Sequence, residues 1–277
     1  MLTVIKADIP LKIKIECIFH LTNNFAYLFL VLLAILQLPN MLMRLKLDRP
    51  ELLLLDAVIA ILIVILALVA VVPMLFALAM GPGVKTEGLT AEGAQPASTD
   101  IDGEWHVTHQ RADSNTTSVG FTFFEILPSD RRETSGSTQS VEGWATIEQG
   151  SVQAGEIVVD MTDVSTDNER RDINVRNKIF HTNEYPTATF SITEPVDVSE
   201  VPGDGTPGKV TLAGEMEIRG ETRPLSHEFD ILRDGDRVIV SGDVDINRNE
   251  YGVESPEFVA AKIDDTGELN IRIMLKK

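Results

Sequence analysis

The chain has 277 residues, 44% of them hydrophobic, a formal net charge of −18 and a single cysteine, Cys17. The charge is uneven: residues 1–85 carry 7 Lys/Arg and 5 Asp/Glu, whereas residues 86–277 carry 17 against 37, a net of −20. That field repels nucleic-acid phosphates and argues against nucleic-acid binding, which needs clustered Lys and Arg. With Cys17 near the N-terminus, the acidic part has no thiol for a disulfide, a Zn-thiolate site, a nucleophile or a lipoprotein anchor.

Residues 1–50 form a partly hydrophobic N-terminal segment. Its apolar run, Phe25 to Leu38, is 14 residues long, short for a membrane span, and bases flank it on both sides. A translation start at Met41 or Met43 would leave a short basic region before one anchor. That anchor is expected within 51–80, where Ala57 to Met80 gives 24 consecutive uncharged residues. As a helix they extend roughly 36 Å, enough for a hydrocarbon core of about 30 Å. Arg44, Lys46 and Arg49 precede the run and only Lys85 closely follows it, so the positive-inside rule puts the acidic domain on the extracytoplasmic side of the cytoplasmic membrane, behind a single pass. Ala77-Leu78-Ala79 offers a signal-peptidase site; the length of the run favours a retained anchor over cleavage.

Residues 81–102, rich in Gly, Ala, Pro, Ser and Thr without hydrophobic periodicity, read as a flexible linker. From 103 to 277 apolar residues recur with period two, as in Val119, Phe121, Phe123; Ile157, Val159, Met161; Val210, Leu212; and Leu269, Ile271, Ile273, Leu275. Gly203-Asp204-Gly205, Asp234-Gly235 and Thr266-Gly267 supply turns. About eight antiparallel strands in this length predict an all-β sandwich or closed barrel.

Asp167 to Phe190 interrupts the alternation. Thr166 to Glu169 fits a capping box. Asp167 with Arg171 and Asp172 with Arg176 are i,i+4 pairs with the acid N-terminal. Ile173 with Phe180 and Val175 with Ile179 supply an apolar face, and Tyr185-Pro186 stops the helix. One inserted helix of about three turns is expected.

With these elements the sequence resembles the YceI-like family of polyisoprenoid-binding, lipocalin-like bacterial envelope proteins. The resemblance is carried by Ser118-Val119-Gly120-Phe121, Asp167 through Arg176, Phe180-His181 with Tyr185 through Phe190, Gly214 through Pro224, and Asn247-Arg248-Asn249-Glu250-Tyr251-Gly252. It extends over roughly Gly103 to Leu275. It implies an extended eight-stranded antiparallel lipocalin-like barrel with one inserted helix, here preceded by a transmembrane helix, and an apolar cavity for a polyprenyl chain or isoprenoid quinone. The His that often precedes the first-strand motif is absent, since Thr116 and Thr117 stand there.

Candidate chemistry is sparse. In Trp105-His106-Val107-Thr108-His109 the two histidines fall on opposite strand faces and cannot share a metal. His181 and His227 stand alone. No Ser-His-acid set, phosphate loop or HExxH occurs, so no catalytic residue, metal or cofactor is expected. Asn115-Thr116-Thr117 matches a glycosylation acceptor. Large or flexible inward side chains suited to an elongated ligand are Phe121, Phe123, Met161, Phe190, Met216, Phe229 and Ile231. Arg170 and Lys178 are candidate head-group contacts, weighed against a solvated helix face. The expected function is membrane-anchored sequestration or carriage of an isoprenoid lipid; the alternative is a non-catalytic adaptor binding a basic protein through the acidic surface.

Overall fold

The computed structural model describes residues 57–69, 71, 81–109, 115–127, 130–254 and 262–277. The chain divides into two compact units, Met1–Met74 and Leu75–Lys277. In the first, residues 57–69 form a helix, α1, on which Val58, Ile61, Leu62, Val64, Leu66, Leu68 and Val69 are exposed. No helix among the described residues is long and apolar enough to cross a membrane. The expected span runs on to Met80, and residues 70 and 72–80 lie outside the described ones, as do Phe25 to Leu38.

The second unit is β-rich. Its strands are β1 (Gly103–Val107), β2 (Ser118–Leu127), β3 (Asp130–Thr138), β4 (Val141–Glu148), β5 (Ser151–Asp160), β6 (Thr187–Ile192), β7 (Val196–Asp197), β8 (Gly208–Ile218), β9 (Glu221–Asp234), β10 (Arg237–Asn247) and β11 (Lys262–Lys276). Strands β1, β4, β5, β6, β8, β9, β10 and β11 pair in that order, and β1 returns to β11 through His106–Lys276 and Val107–Leu275. The result is a closed antiparallel eight-stranded barrel. Along the rest of β11, β2 takes the place of β1 and carries β3 on its outer edge. Each ladder satisfies backbone polar groups while period-two alternation sends apolar side chains inward, which is why the sequence reads as strand.

Two interior clusters fill the barrel. One gathers Trp105, Ile147, Val152, Val210, Ile231, Val238, Ile273 and Leu275. The other gathers Phe121, Phe123, Val164, Val175, Phe180, Met216 and Ile218. Phenylalanines in the wall lie over glycines of neighbouring strands: a Cβ added to Gly136 would come 2.9 Å from the Phe121 ring, to Gly267 2.4 Å from Phe123, to Gly214 2.8 Å from Phe190, and to Gly242 2.7 Å from Phe229. Each ring can therefore lie flat against the sheet.

A third cluster faces outward. Leu232, Ile239 and Met274 are covered by Leu89, Ala91 and Ala94, so the segment expected to be a flexible linker is laid along the barrel. Ser135 N–H donates to Pro82 O at 2.8 Å, Val84 N–H to Ser135 O at 3.2 Å, Ala97 N–H to Gly203 O at 2.8 Å and Ser98 N–H to Gly235 O at 2.7 Å. Such backbone bonds, side-chain bonds from Arg233 to Thr99 O at 2.9 Å and from Arg272 to Gly88 O at 3.2 Å, and a few small apolar contacts hold this strap, and none of them leaves a hydrophobic period.

The inserted helix, α2 (Glu169–Asn174), runs into a π-helical turn at Val175–Ile179. Its cap is Asn168, whose side chain accepts from the Arg170 and Arg171 N–H groups, rather than Thr166. Thr166 instead donates its N–H and hydroxyl to Asp172, each at 2.6 Å. That use of Asp172 displaces the expected pair with Arg176, which donates to Val164 O at 3.2 Å. The Asp167–Arg171 pair is present. Buried Arg171 also donates to Gly81 O at 2.9 Å and Thr166 Oγ1 at 3.2 Å, fastening the helix to the start of the strap. Ile173 is exposed, so Val175, Ile179 and Phe180 carry the apolar face.

A chain beginning at Gly103 should lose about 2–4 kcal/mol of stability in urea unfolding, because Leu232, Ile239 and Met274 would lose their cover; unchanged stability would show that the strap is not part of the fold. Gly214→Ala places a Cβ 2.2 Å from Ser191 O and should cost about 1–3 kcal/mol by the same measurement.

Candidate lipid-binding cavity

Where β5, β6, β8, β9, β10 and β11 face one another, the inward side chains leave a cavity of about 190 Å³. Its wall includes Ile101, Ile147, Val152, Val198, Val238 and Leu275 from one interior cluster and Phe121, Met161, Val164, Phe180, Ala188, Phe190, Met216, Ile218 and Leu225 from the other, so it joins the two. Val119, Ile157, Leu212, Ile231, Val240, Ile271 and Ile273 add to the first cluster's share of the wall and Leu269 to the second's, and Val159 and Phe229 complete it. Hydrocarbon covers almost the whole surface.

Of the residues expected to contact a ligand, Phe121, Met161, Phe190, Met216, Phe229 and Ile231 line this cavity. Phe123 does not: it packs beside Phe121, ring centroids 6.2 Å apart, over Gly267. Its inward period is right, but it belongs to the filled part of the core. Phe180 was expected only as a helix face residue, yet it lines the cavity, 5.5 Å from the Phe121 ring. The π-helical turn aims it inward, and no repeat in the sequence marks such a turn.

Arg170 and Lys178 are exposed on the helix and line neither this cavity nor the groove described below. His106 points outward next to inward Trp105, and no group of three or more metal-ligating side chains occurs among the described residues. Asn115 is buried; its side chain accepts from Thr90 N–H at 2.9 Å and donates to Thr90 O at 2.7 Å, so the glycosylation pattern serves to fasten the strap.

The late Asn-Arg motif is structural. Asn247 caps a short helical turn at Arg248–Tyr251. Buried Arg248 donates to Val253 O at 2.6 Å, Asp265 Oδ1 at 2.6 Å and Asp264 O at 2.9 Å. Gly220 turns β8 into β9 with φ 76°, and a Cβ there would meet the Tyr185 ring at 2.8 Å. The Tyr-Pro motif and the Gly214–Pro224 motif thus meet in space.

A second concavity, a groove of about 640 Å³ with a mixed polar and apolar lining, lies on the outside of the barrel. Thr122, Phe124, Arg131, Glu133, Arg223, Pro224, Asp245, Asn247, Glu250, Tyr251 and Glu268 border it, and Leu225 lines both the groove and the cavity. Burial pushes the Tyr251 phenol above its ordinary range; neighbouring Glu250 adds to this and Arg223 opposes it. Sequence reasoning missed this groove, because its residues come from five strands and a turn with no shared motif. Pro224 was the available signal: lacking an N–H, proline within a strand marks an edge.

Residues 110–275 match the YceI-like domain. No curated protein is matched. Among solved structures the barrel is similar to a polyisoprenoid binding domain from Saccharophagus degradans implicated in plant cell wall breakdown, at 14% identity and TM-score 0.48, covering 62% of this chain and 97% of that one. Burkholderia cenocepacia BcnA is similar at 15% identity and TM-score 0.44, covering 56% and 95%. The Campylobacter jejuni YCEI protein is similar at 15% identity and TM-score 0.38, covering 70% and 99%. With a domain match over more than half its length, ordered as the sequence motifs require, the chain belongs to the YceI-like family.

Proposed function

We propose that the protein is a membrane-anchored, extracytoplasmic lipid-binding protein that sequesters or carries an isoprenoid lipid in its barrel. The observation that carries this reading is the apolar cavity joining the two interior clusters. A wall of hydrocarbon cannot polarise or break a bond; what it can do is take a hydrocarbon chain out of water. At about 0.8 kcal/mol per buried CH₂, one five-carbon isoprene unit gains on the order of 4 kcal/mol before the costs of ordering the chain. The volume, about 190 Å³, exceeds the roughly 150 Å³ of a dry cavity that admits benzene but falls short of the roughly 300 Å³ at which drug-sized pockets begin. A lining that runs from one interior cluster to the other suits a slender chain.

The uncharged run from Ala57 to Met80 and the exposed apolar side chains of α1 support anchoring. A contiguous exposed apolar surface requires a partner, and here the length of the run matches a bilayer. Membership of the YceI-like family, which the sequence motifs place among polyisoprenoid-binding proteins, supports the choice of ligand class.

Protein purified from its native membranes and extracted with organic solvent should release about one isoprenoid lipid per barrel by mass spectrometry; reproducibly lipid-free protein would contradict the reading. Ala188→Phe, which puts a ring into the cavity, should lower retained lipid at least tenfold while the barrel stays folded by circular dichroism. Undiminished lipid in that variant would place the ligand elsewhere.

A further inference from the structure

The β9–β10 ladder pairs only Asp230–Asp234 with Arg237–Ser241, although β9 begins at Glu221 and β10 continues to Asn247. Beyond it the strands part: the rest of β9 stays on β8, and the rest of β10 stays on β11. Pro224 lies in the parted half, where a missing N–H has no ladder to break. The Phe229 ring lies over Gly242, the first β10 residue past the ladder. Just outside, the groove begins, and Leu225 is common to its wall and to the cavity wall.

We propose that this parted seam is a lateral portal: the isoprenoid chain enters the cavity past Leu225, and its polar head group rests in the groove, away from Arg170 and Lys178. This rests on the lipid-binding reading above and assigns the head-group class. Glu133, Asp245, Glu250 and Glu268 border the groove against Arg131 and Arg223. Both guanidiniums are engaged. Arg131 pairs with Asp264 at 2.8 Å and lies 4.2 Å from the Phe124 ring centroid; Arg223 donates to Glu250 O at 3.1 Å and pairs with Glu221 at 3.4 Å. A phosphate or diphosphate would meet a surplus of carboxylates with the arginines already committed. An uncharged polar head, such as a quinone ring, meets no such repulsion and finds the Phe124 and Tyr251 rings at the groove's border.

The test uses the full-length protein in neutral detergent micelles with two probes of equal chain length, an isoprenoid quinone and a polyprenyl monophosphate. The quinone should bind at least tenfold more tightly. Glu133→Gln combined with Glu250→Gln should narrow that preference about tenfold by improving phosphate binding, and Leu225→Trp should slow quinone uptake at least fivefold. Unchanged uptake in Leu225→Trp would overturn the portal, and equal affinities, or a preference that the paired Gln variant leaves unchanged, would overturn its head-group class, while the lipid-binding reading stays in place. Failure of both probes to bind would overturn both.

Discussion

Closing a sheet at eight strands fixes an interior only a few side chains wide, and whether that interior is core or cavity depends on where the bulky side chains lie. Here the rings of Phe121, Phe123, Phe190 and Phe229 lie over Gly136, Gly267, Gly214 and Gly242 of adjacent strands. A Cβ at any of these glycines would force the ring toward the axis. Glycine opposite phenylalanine therefore keeps aromatic surface in the wall and the axis open, so the two interior clusters are joined by a cavity instead of merging into one packed core.

The closure itself is asymmetric. Only two residue pairs of β1 and β11 complete the ring, and β2 takes over along the remainder of β11. The β9–β10 ladder is also short, so beyond it the facing edges of the two strands do not pair with each other. An unpaired seam is a liability in a soluble protein because its backbone groups invite pairing with another chain. Pro224 and the charged groups along the groove, Glu133, Asp245, Glu250 and Glu268, blunt it. The same features that guard the edge give the opening its polar, acidic character.

Much of this was legible in the sequence. Period-two alternation gave the strands, and the ordered motifs identified the barrel; Phe121, Met161, Phe190, Met216, Phe229 and Ile231 fell on the cavity wall because inward phase and side-chain size were both readable. Phe123 shares that phase, and only its folded neighbours, Phe121 first among them, decide that it lies in the filled part of the core. The helix was legible as an element but not in its capping, since Thr166, Asn168, Asp167 and Asp172 are all competent caps and competition among them is settled by the third dimension. The strap was illegible for a different reason: it is held by backbone hydrogen bonds to Ser135, Gly203 and Gly235 and by side chains distant in sequence, Asn115, Arg171, Arg233 and Arg272, and neither leaves a local periodic signature.

A crystal structure of the protein isolated from its native cells without delipidation distinguishes a binding cavity from an imperfectly packed core. A binding cavity gives continuous tubular electron density along the axis between Phe121 and Ile231, with Phe190 and Met216 in contact with it. An interior collapsed around those side chains, or occupied only by ordered water, would contradict it.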